Sequence, residues 1–172
     1  SGCDATLRRM NRHYDTAEYR RIVNTLREVF PNAAITTDIM VGFAGETEEE
    51  FAASLAFAKE IAFAKVHVFA YSRRPGTVAY NMPEQVSNAE KEKRSHAMIE
   101  ATEATRKAFL EKQVGLVQPV LLEQLAAPGI WEGYTPNYTP VHFASEEDLA
   151  GKILSLKLTG YEDDFCTGEI LS

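Results

Sequence analysis

Thr37-Asp38-Ile39-Met40-Val41-Gly42-Phe43-Ala44-Gly45-Glu46-Thr47 is the stretch that decides the fold. Its first half alternates with period two, and its second half is a glycine-bracketed turn ending on a helix-capping threonine. Across residues 33–42, Ile35, Ile39 and Val41 lean to one face with Thr37 between them, while Thr36, Asp38 and Met40 lean to the other. Thr47 and Glu50 spell a capping box, and Phe51, Leu55, Ala58 and Ala62 follow at helical spacing. A strand running through a tight turn into a helix is the unit from which parallel α/β folds are built.

The same alternation extends on both sides. Upstream, Asp15 and Glu18 open a helix carrying Tyr19, Ile22, Val23, Leu26 and Phe30, which Pro31-Asn32 stops. Downstream, residues 65–71 read as a second strand, with Val66, Val68 and Ala70 on one face and His67, Phe69 and Tyr71 on the other. Residues 72–77 form a loop, and Ser87 with Glu90 begins a long charged helix that Gly115 ends. Residues 1–114 are therefore expected to be an α/β unit with parallel strands and flanking helices. Two strands make a poor sheet alone. Together with a start lacking Met, this leads us to expect a piece of a longer protein.

Beyond Gly115 the pattern changes. Residues 117–123, 130–134, 139–143, 152–158 and 165–171 are short β runs separated by turn residues. Five strands in this length predict a small antiparallel OB-like barrel over residues 115–172, a type that can bind nucleic acid. Charge shifts at the same place. Residues 1–114 hold 16 basic and 16 acidic side chains, whereas residues 115–172 hold Lys152 and Lys157 against nine acids. The first 27 residues are the basic region, with six arginines. No apolar run approaches the ~18 residues of a membrane-spanning helix, so no membrane partner is expected. Cys3 and Cys166 are too few for a disulfide framework or a complete cluster site. No catalytic residue and no metal ligand is assigned.

Each motif has a plain reading beside a functional one. The 42–46 loop is a tight turn, or a ligand edge where helix N–H groups meet an anion. Asp38, taken as buried within its strand, pairs with an arginine or serves a ligand. His67, Phe69 and Tyr71 are core, or the lining of a barrel interior. Arg73 and Arg74 form a solvated turn or meet phosphate. Glu48–Glu50 and the charges from Glu90 to Arg94 read as helix solvation. Trp131, Tyr134, Tyr138 and Phe143 are barrel core and turn, or stack on bases.

Taken in order, three stretches resemble the radical S-adenosylmethionine methylthiotransferases. They are Ser1-Gly2-Cys3-Asp4 with Leu7-Arg8-Arg9-Met10-Asn11-Arg12, the 37–47 stretch, and Val66-His67-Val68-Phe69-Ala70-Tyr71-Ser72-Arg73-Arg74-Pro75-Gly76-Thr77. Gly133-Tyr134-Thr135-Pro136-Asn137-Tyr138 and Leu158-Thr159-Gly160 look like that family's TRAM domain, a small RNA-binding barrel. The resemblance implies that residues 1–114 are the C-terminal part of a radical S-adenosylmethionine barrel, a partial TIM-type barrel, and it implies methylthiolation of tRNA adenosine or of a ribosomal protein. The form of the second strand looks most like the threonylcarbamoyl-adenosine (MtaB) branch, with the isopentenyl-adenosine (MiaB) branch next.

By resemblance, Asp38, Gly42, Phe43, Gly45, Glu46, Phe69 and Tyr71 lie against S-adenosylmethionine. Arg8, Arg9, Arg12, Arg73, Arg74, Tyr134, Tyr138 and Lys152 are the candidates for contact with a tRNA anticodon stem-loop. The family's three N-terminal cysteines and its Cys-x-x-x-Cys-x-x-Cys motif are not in this sequence. The iron–sulfur clusters are therefore expected in a missing N-terminal half, the isolated chain is expected to be inactive, and its open sheet edge is expected to self-associate. The location implied is cytoplasmic. Two other classes stay open: a stand-alone TRAM-containing RNA-binding protein, and an unrelated α/β barrel fragment.

Overall fold

The computed structural model describes residues 1–170 and divides into two compact units, Ser1–Thr105 and Arg106–Ser172. The first unit holds α1 (Asp4–Arg9), α2 (Thr16–Val29), β1 (Thr36–Val41), α3 (Glu48–Ile61), β2 (Lys65–Ala70) and the start of α4 (Asn88–Gln113). A single 3-10 turn, Val78–Asn81, lies between β2 and α4. Neither α1 nor this turn is foreseen by the sequence patterns, because each is too short for periodicity to register.

β1 and β2 pair in parallel, with Thr36 opposite Lys65 and Val41 opposite Ala70. This mixed α/β arrangement is what the alternation of strands and helices predicts. Asp15 accepts from Glu18 N at the start of α2, and the Thr47–Glu50 capping box is complete at the start of α3. One face of β1 buries Ile39 and Val41 against Phe51, Ala58 and Met98, so α3 and α4 cover that side. Val23, Phe57, Ile61 and Phe63 form a neighbouring cluster between α2 and the end of α3. The other face of the strand pair is open: Asp38 opposite His67 and Met40 opposite Phe69, two registers on, are all exposed. Asp38 is thus not the buried carboxylate its apolar neighbours suggest. Tyr71 does not share the open face of His67 and Phe69 either. The strand ends at Ala70, and Tyr71 turns under Phe43, ring centroids 5.0 Å apart.

The second unit is a closed barrel in the order β3 (Val117–Ala127), β4 (Ile130–Tyr134), β5 (Pro140–Ala144), β7 (Phe165–Ile170) and β6 (Ile153–Glu162). It is not wholly antiparallel, because β5 and β7 close it as a parallel pair. Leu171, assigned to the last β run from sequence, lies outside the described residues. Val120, Leu122, Trp131, Val141, Leu156, Leu158 and Cys166 fill the interior together with Leu110 from the last turns of α4. The close β3–β4 pairing explains Gly133. A methyl group there would fall 2.3 Å from the carbonyl oxygen of Leu121, on the neighbouring strand it pairs with.

Candidate functional site

The turn after β1 is built around a buried ion pair. Gly42 and Gly45 take positive φ, +69° and +74°, which reverses the chain within a few residues. Glu46 then folds back and accepts from Gly42 N at 2.7 Å and from Arg94 Nη1 at 2.8 Å. Arg94 also donates to the Glu46 carbonyl at 2.9 Å and to Glu90 at 3.0 Å. Both side chains are almost wholly buried. Gly45 N donates to Glu84 O and Glu46 N to Phe43 O, both at 2.9 Å. The N–H groups of Gly42, Gly45 and Glu46 therefore already have partners inside the protein.

Arg94 and Lys91 are the residues that sequence reasoning missed. The run from Glu90 to Arg94 reads as helix solvation, yet Lys91 and Arg94 are only 8 % and 5 % exposed. Their i, i+3 spacing on one face of α4 was the available signal. Arg94 lies over the Phe51 ring, and Lys91 crosses Gly42 to place its ammonium 5.4 Å from the Tyr71 ring centroid. Gly42 has to be glycine for this packing: an added Cβ would lie 2.4 Å from Lys91 Cγ.

The seven residues singled out for a cofactor occupy two settings. Gly42, Phe43 and Glu46 are buried, Gly45 is partly buried, and Tyr71 lies beneath Phe43 with its hydroxyl buried and unpartnered among the described residues. Asp38 and Phe69 stand on the open face, where Met40 and His67 are their cross-strand neighbours. That face carries a carboxylate, a thioether, an imidazole and an aromatic ring side by side. Such a surface can hold a flat heterocycle and accept hydrogen bonds from hydroxyl or ammonium groups.

The candidate RNA residues are similarly divided. Arg8, Arg12, Arg74 and Lys152 are exposed. Arg9 is a tether: its guanidinium bonds Glu50 in α3, which also accepts from Thr6, and it reaches the Ala44 carbonyl at 3.3 Å. Arg9 holds the Glu50 carboxyl below the usual carboxylate range. Arg73 bonds the Tyr80 carbonyl and lies 4.5 Å from the Tyr80 ring centroid. In the barrel, Tyr134 and Tyr138 flank a tight loop with centroids 6.4 Å apart. Tyr138 N donates to Thr135 O, Thr139 N donates to Thr135 Oγ1 at 3.0 Å, and Asn137 donates to Gln113. Tyr138, 83 % exposed with φ +59°, stands on a loop fixed by its own hydrogen bonds.

The chain is similar over almost all of its length to tRNA-modifying proteins of two kinds. A "tRNA-2-methylthio-N(6)-dimethylallyladenosine synthase" of Symbiobacterium thermophilum is 40% identical over 92% of the chain and 34% of the relative. "Threonylcarbamoyladenosine tRNA methylthiotransferase MtaB" of Bacillus subtilis is 36% identical over 92% of the chain and 36% of the relative. A dimethylallyladenosine synthase of Thermoanaerobacter sp. is 37% identical over 99% of the chain and 37% of the relative. This chain belongs to the MtaB/MiaB-like methylthiotransferase family. No protein-family model matches it, and membership rests on these relatives. The chain spans little more than a third of the length of the curated relatives it matches.

Membership in the methylthiotransferases implies S-adenosylmethionine and iron–sulfur clusters in the whole enzyme. The residues here do not fit a cluster. Cys3 lies in the first unit and Cys166 in the barrel core of the second. Burial pushes the Cys166 thiol up to about 11, and among the described residues no three His, Cys, Asp or Glu side chains converge on a metal position. For S-adenosylmethionine the open face does fit, since Phe69 offers an exposed ring and Asp38 an exposed carboxylate one strand away. The buried turn fits less directly, because its donors already serve Glu46, Glu84 and Phe43.

Proposed function

We propose that this chain is the C-terminal part of a tRNA methylthiotransferase, comprising a portion of the radical barrel wall (residues 1–114) and a TRAM RNA-binding barrel (residues 115–172). The observation that carries this reading is the open face of β1 and β2. A parallel pair with one face packed under helices and the other presenting Asp38, Met40, His67 and Phe69 is what a segment of barrel wall looks like from inside. The reaction belongs to the whole enzyme, whose clusters start the radical chemistry. The residues of this chain would bind and orient: Phe69 and Asp38 against S-adenosylmethionine, and Tyr138 beside Tyr134 against unpaired bases. Gly42, Phe43, Gly45, Glu46 and Tyr71 build the packed turn at the end of that wall.

The substrate we favour is threonylcarbamoyl-adenosine next to the anticodon, over isopentenyl-adenosine. Support comes from the His67-Val68-Phe69-Ala70-Tyr71-Ser72 strand. Relatives named for both nucleosides match at similar identity, so overall identity does not discriminate. The test replaces the matching segment of the Bacillus subtilis protein with this chain in cells lacking the native enzyme, followed by mass spectrometry of tRNA nucleosides. Return of the methylthio derivative of threonylcarbamoyl-adenosine is expected. A methylthio group on dimethylallyladenosine instead would overturn the substrate assignment, and no methylthiolation with soluble chimaera would overturn the whole reading. A cytoplasmic location follows from a tRNA substrate and is checked by fractionation.

A further inference from the structure

The cleft beyond the C-terminal end of β2 contains a buried cation, Lys91, with no ion-pair partner among the described residues. It is lined by Tyr71, Ser72 and Arg73 after the strand and by Asn88, Lys91 and Ser95 on the first turns of α4. Lys91 is 8 % exposed, and its ammonium lies 5.4 Å from the Tyr71 ring centroid with no carboxylate at ion-pair distance among the described residues. A buried ammonium normally has a carboxylate partner, because desolvation without one is costly. Its neighbour three residues on shows the ordinary solution, with Arg94 satisfied by Glu46 and Glu90. Tyr71, which lines the same cleft, has a buried hydroxyl with no hydrogen-bond partner among the described residues. The hydroxyls of Ser72 and Ser95 and the amide of Asn88 line the same cleft as further donors.

We propose that this cleft is a phosphodiester site, with Lys91 as its charged anchor, that holds the backbone of an RNA strand. Lys91 and Arg73 meet one nonbridging oxygen each. Arg73 engages Tyr80 O through Nε and Nη2, which leaves Nη1 for the ligand. Glu92 also lines the cleft. Its negative charge disfavours a doubly charged terminal phosphate and suits a singly charged diester, and its carboxylate can accept from a ribose hydroxyl. The cleft is open to solvent, which suits a strand passing across it better than an enclosed small cofactor. The source of the ligand rests on the tRNA reading above; the existence of the anion site does not.

The test uses the chain as it stands, with two lysine variants. Lys91→Met keeps an aliphatic stem over Gly42 and Tyr71 and removes the charge; Lys91→Arg keeps the charge. The probe is adenylyl-(3′→5′)-adenosine, a singly charged diester, titrated while backbone amide NMR shifts are followed. Saturable shifts at Ser72, Arg73, Asn88 and Ser95 are expected in the wild type and in Lys91→Arg, with affinity at least about tenfold weaker in Lys91→Met. A melting temperature within a few degrees of wild type establishes that Lys91→Met is folded; if it is not, the Lys91→Arg and wild-type titrations decide. No saturable shift, equal affinity in Lys91→Met, or tighter binding of free methionine through its carboxylate would overturn the site. In a second arm, anticodon stem-loop RNA is bound over a salt series. Loss of one phosphate contact lowers the log–log slope by about 0.7–0.9 in Lys91→Met. An unchanged slope would overturn the RNA assignment of the site. Binding of the dinucleotide with no stem-loop binding by wild type would uphold the site and overturn the tRNA reading instead.

Discussion

Gly133 and Gly42 are glycines for different reasons, and substitution separates them. At Gly133 the obstacle is the backbone of β3, 2.3 Å from a would-be Cβ, and a strand inside a closed barrel has nowhere to go. At Gly42 the obstacle is the Lys91 stem, compounded by a φ of +69°. We expect Gly133→Ala to cost at least about 1–3 kcal/mol, the range of overpacked cores, and to lower the barrel's melting transition. Gly42→Ala should destabilise by at least about 1 kcal/mol through the left-handed backbone alone. Urea unfolding measures both; equal stability of Gly133→Ala and wild type would contradict the closed geometry. Cysteine chemistry belongs to the same scale. Burial raises Cys166 to about 11, and its thiol faces the Leu110 carbonyl, so little thiolate exists near neutral pH. Alkylation at pH 8 is expected to label Cys3, which is partly exposed, and to reach Cys166 only when the barrel unfolds.

Between elements, carboxylate–guanidinium bonds do much of the joining. Glu50 ties α3 to α1 through Arg9 and Thr6. The hydrogen bond from Arg9 lowers the Glu50 pKa from its ordinary 4.5. A carboxyl with a depressed folded pKa contributes stability that is fully present above its unfolded pKa. That contribution is lost as pH falls through the folded value. Wild type should therefore exceed Glu50→Gln in melting temperature at pH 7, and the gap should close as pH drops below about 4.5. A gap independent of pH would show that the bond contributes nothing as an ion pair. The Glu46–Arg94 pair is more deeply buried. Arg94→Met leaves Glu46 an unpaired carboxylate, and a loss of about 3–5 kcal/mol is expected in chemical denaturation.

For the whole molecule, the charge asymmetry predicts how RNA binding divides. Residues 115–172 carry two cations against nine acids, so the tail alone should bind tRNA weakly with a shallow salt slope. Its contribution should come from Tyr138 and Tyr134 stacking, at ~1–3 kcal/mol per base. The whole chain adds the exposed Arg8, Arg12 and Arg74, and should bind more tightly with a steeper slope. Filter binding over a salt series, with Tyr138→Ala and Arg8→Ala, measures this. A tail that binds as tightly as the whole chain would reverse the assignment. The two-stranded parallel sheet has unpaired edges and an uncovered face bearing Met40 and Phe69, 38 % and 51 % exposed. Self-association at micromolar concentration is the expected consequence, and a monodisperse monomer in light scattering would refute it.

Local signals were enough for the elements. The alternation through Ile35, Ile39 and Val41, the Thr47–Glu50 box and the turn residues of the tail placed the strands and long helices. Each of these is decided by backbone and near-neighbour chemistry within a few residues. The resemblance across the three ordered motifs pointed to the family for the same reason, since it is carried by contiguous residues. Burial of charged side chains was not legible in this way. Glu46 reads as part of a turn or ligand edge, Lys91 and Arg94 read as helix solvation, and only folding brings residues 46 and 94 together around the Gly42 turn. Asp38 looked buried among apolar neighbours and is exposed, because which face of a strand is covered depends on what packs against it. The parallel closure of β5 on β7 likewise follows from a pairing between distant segments, which no local spacing encodes.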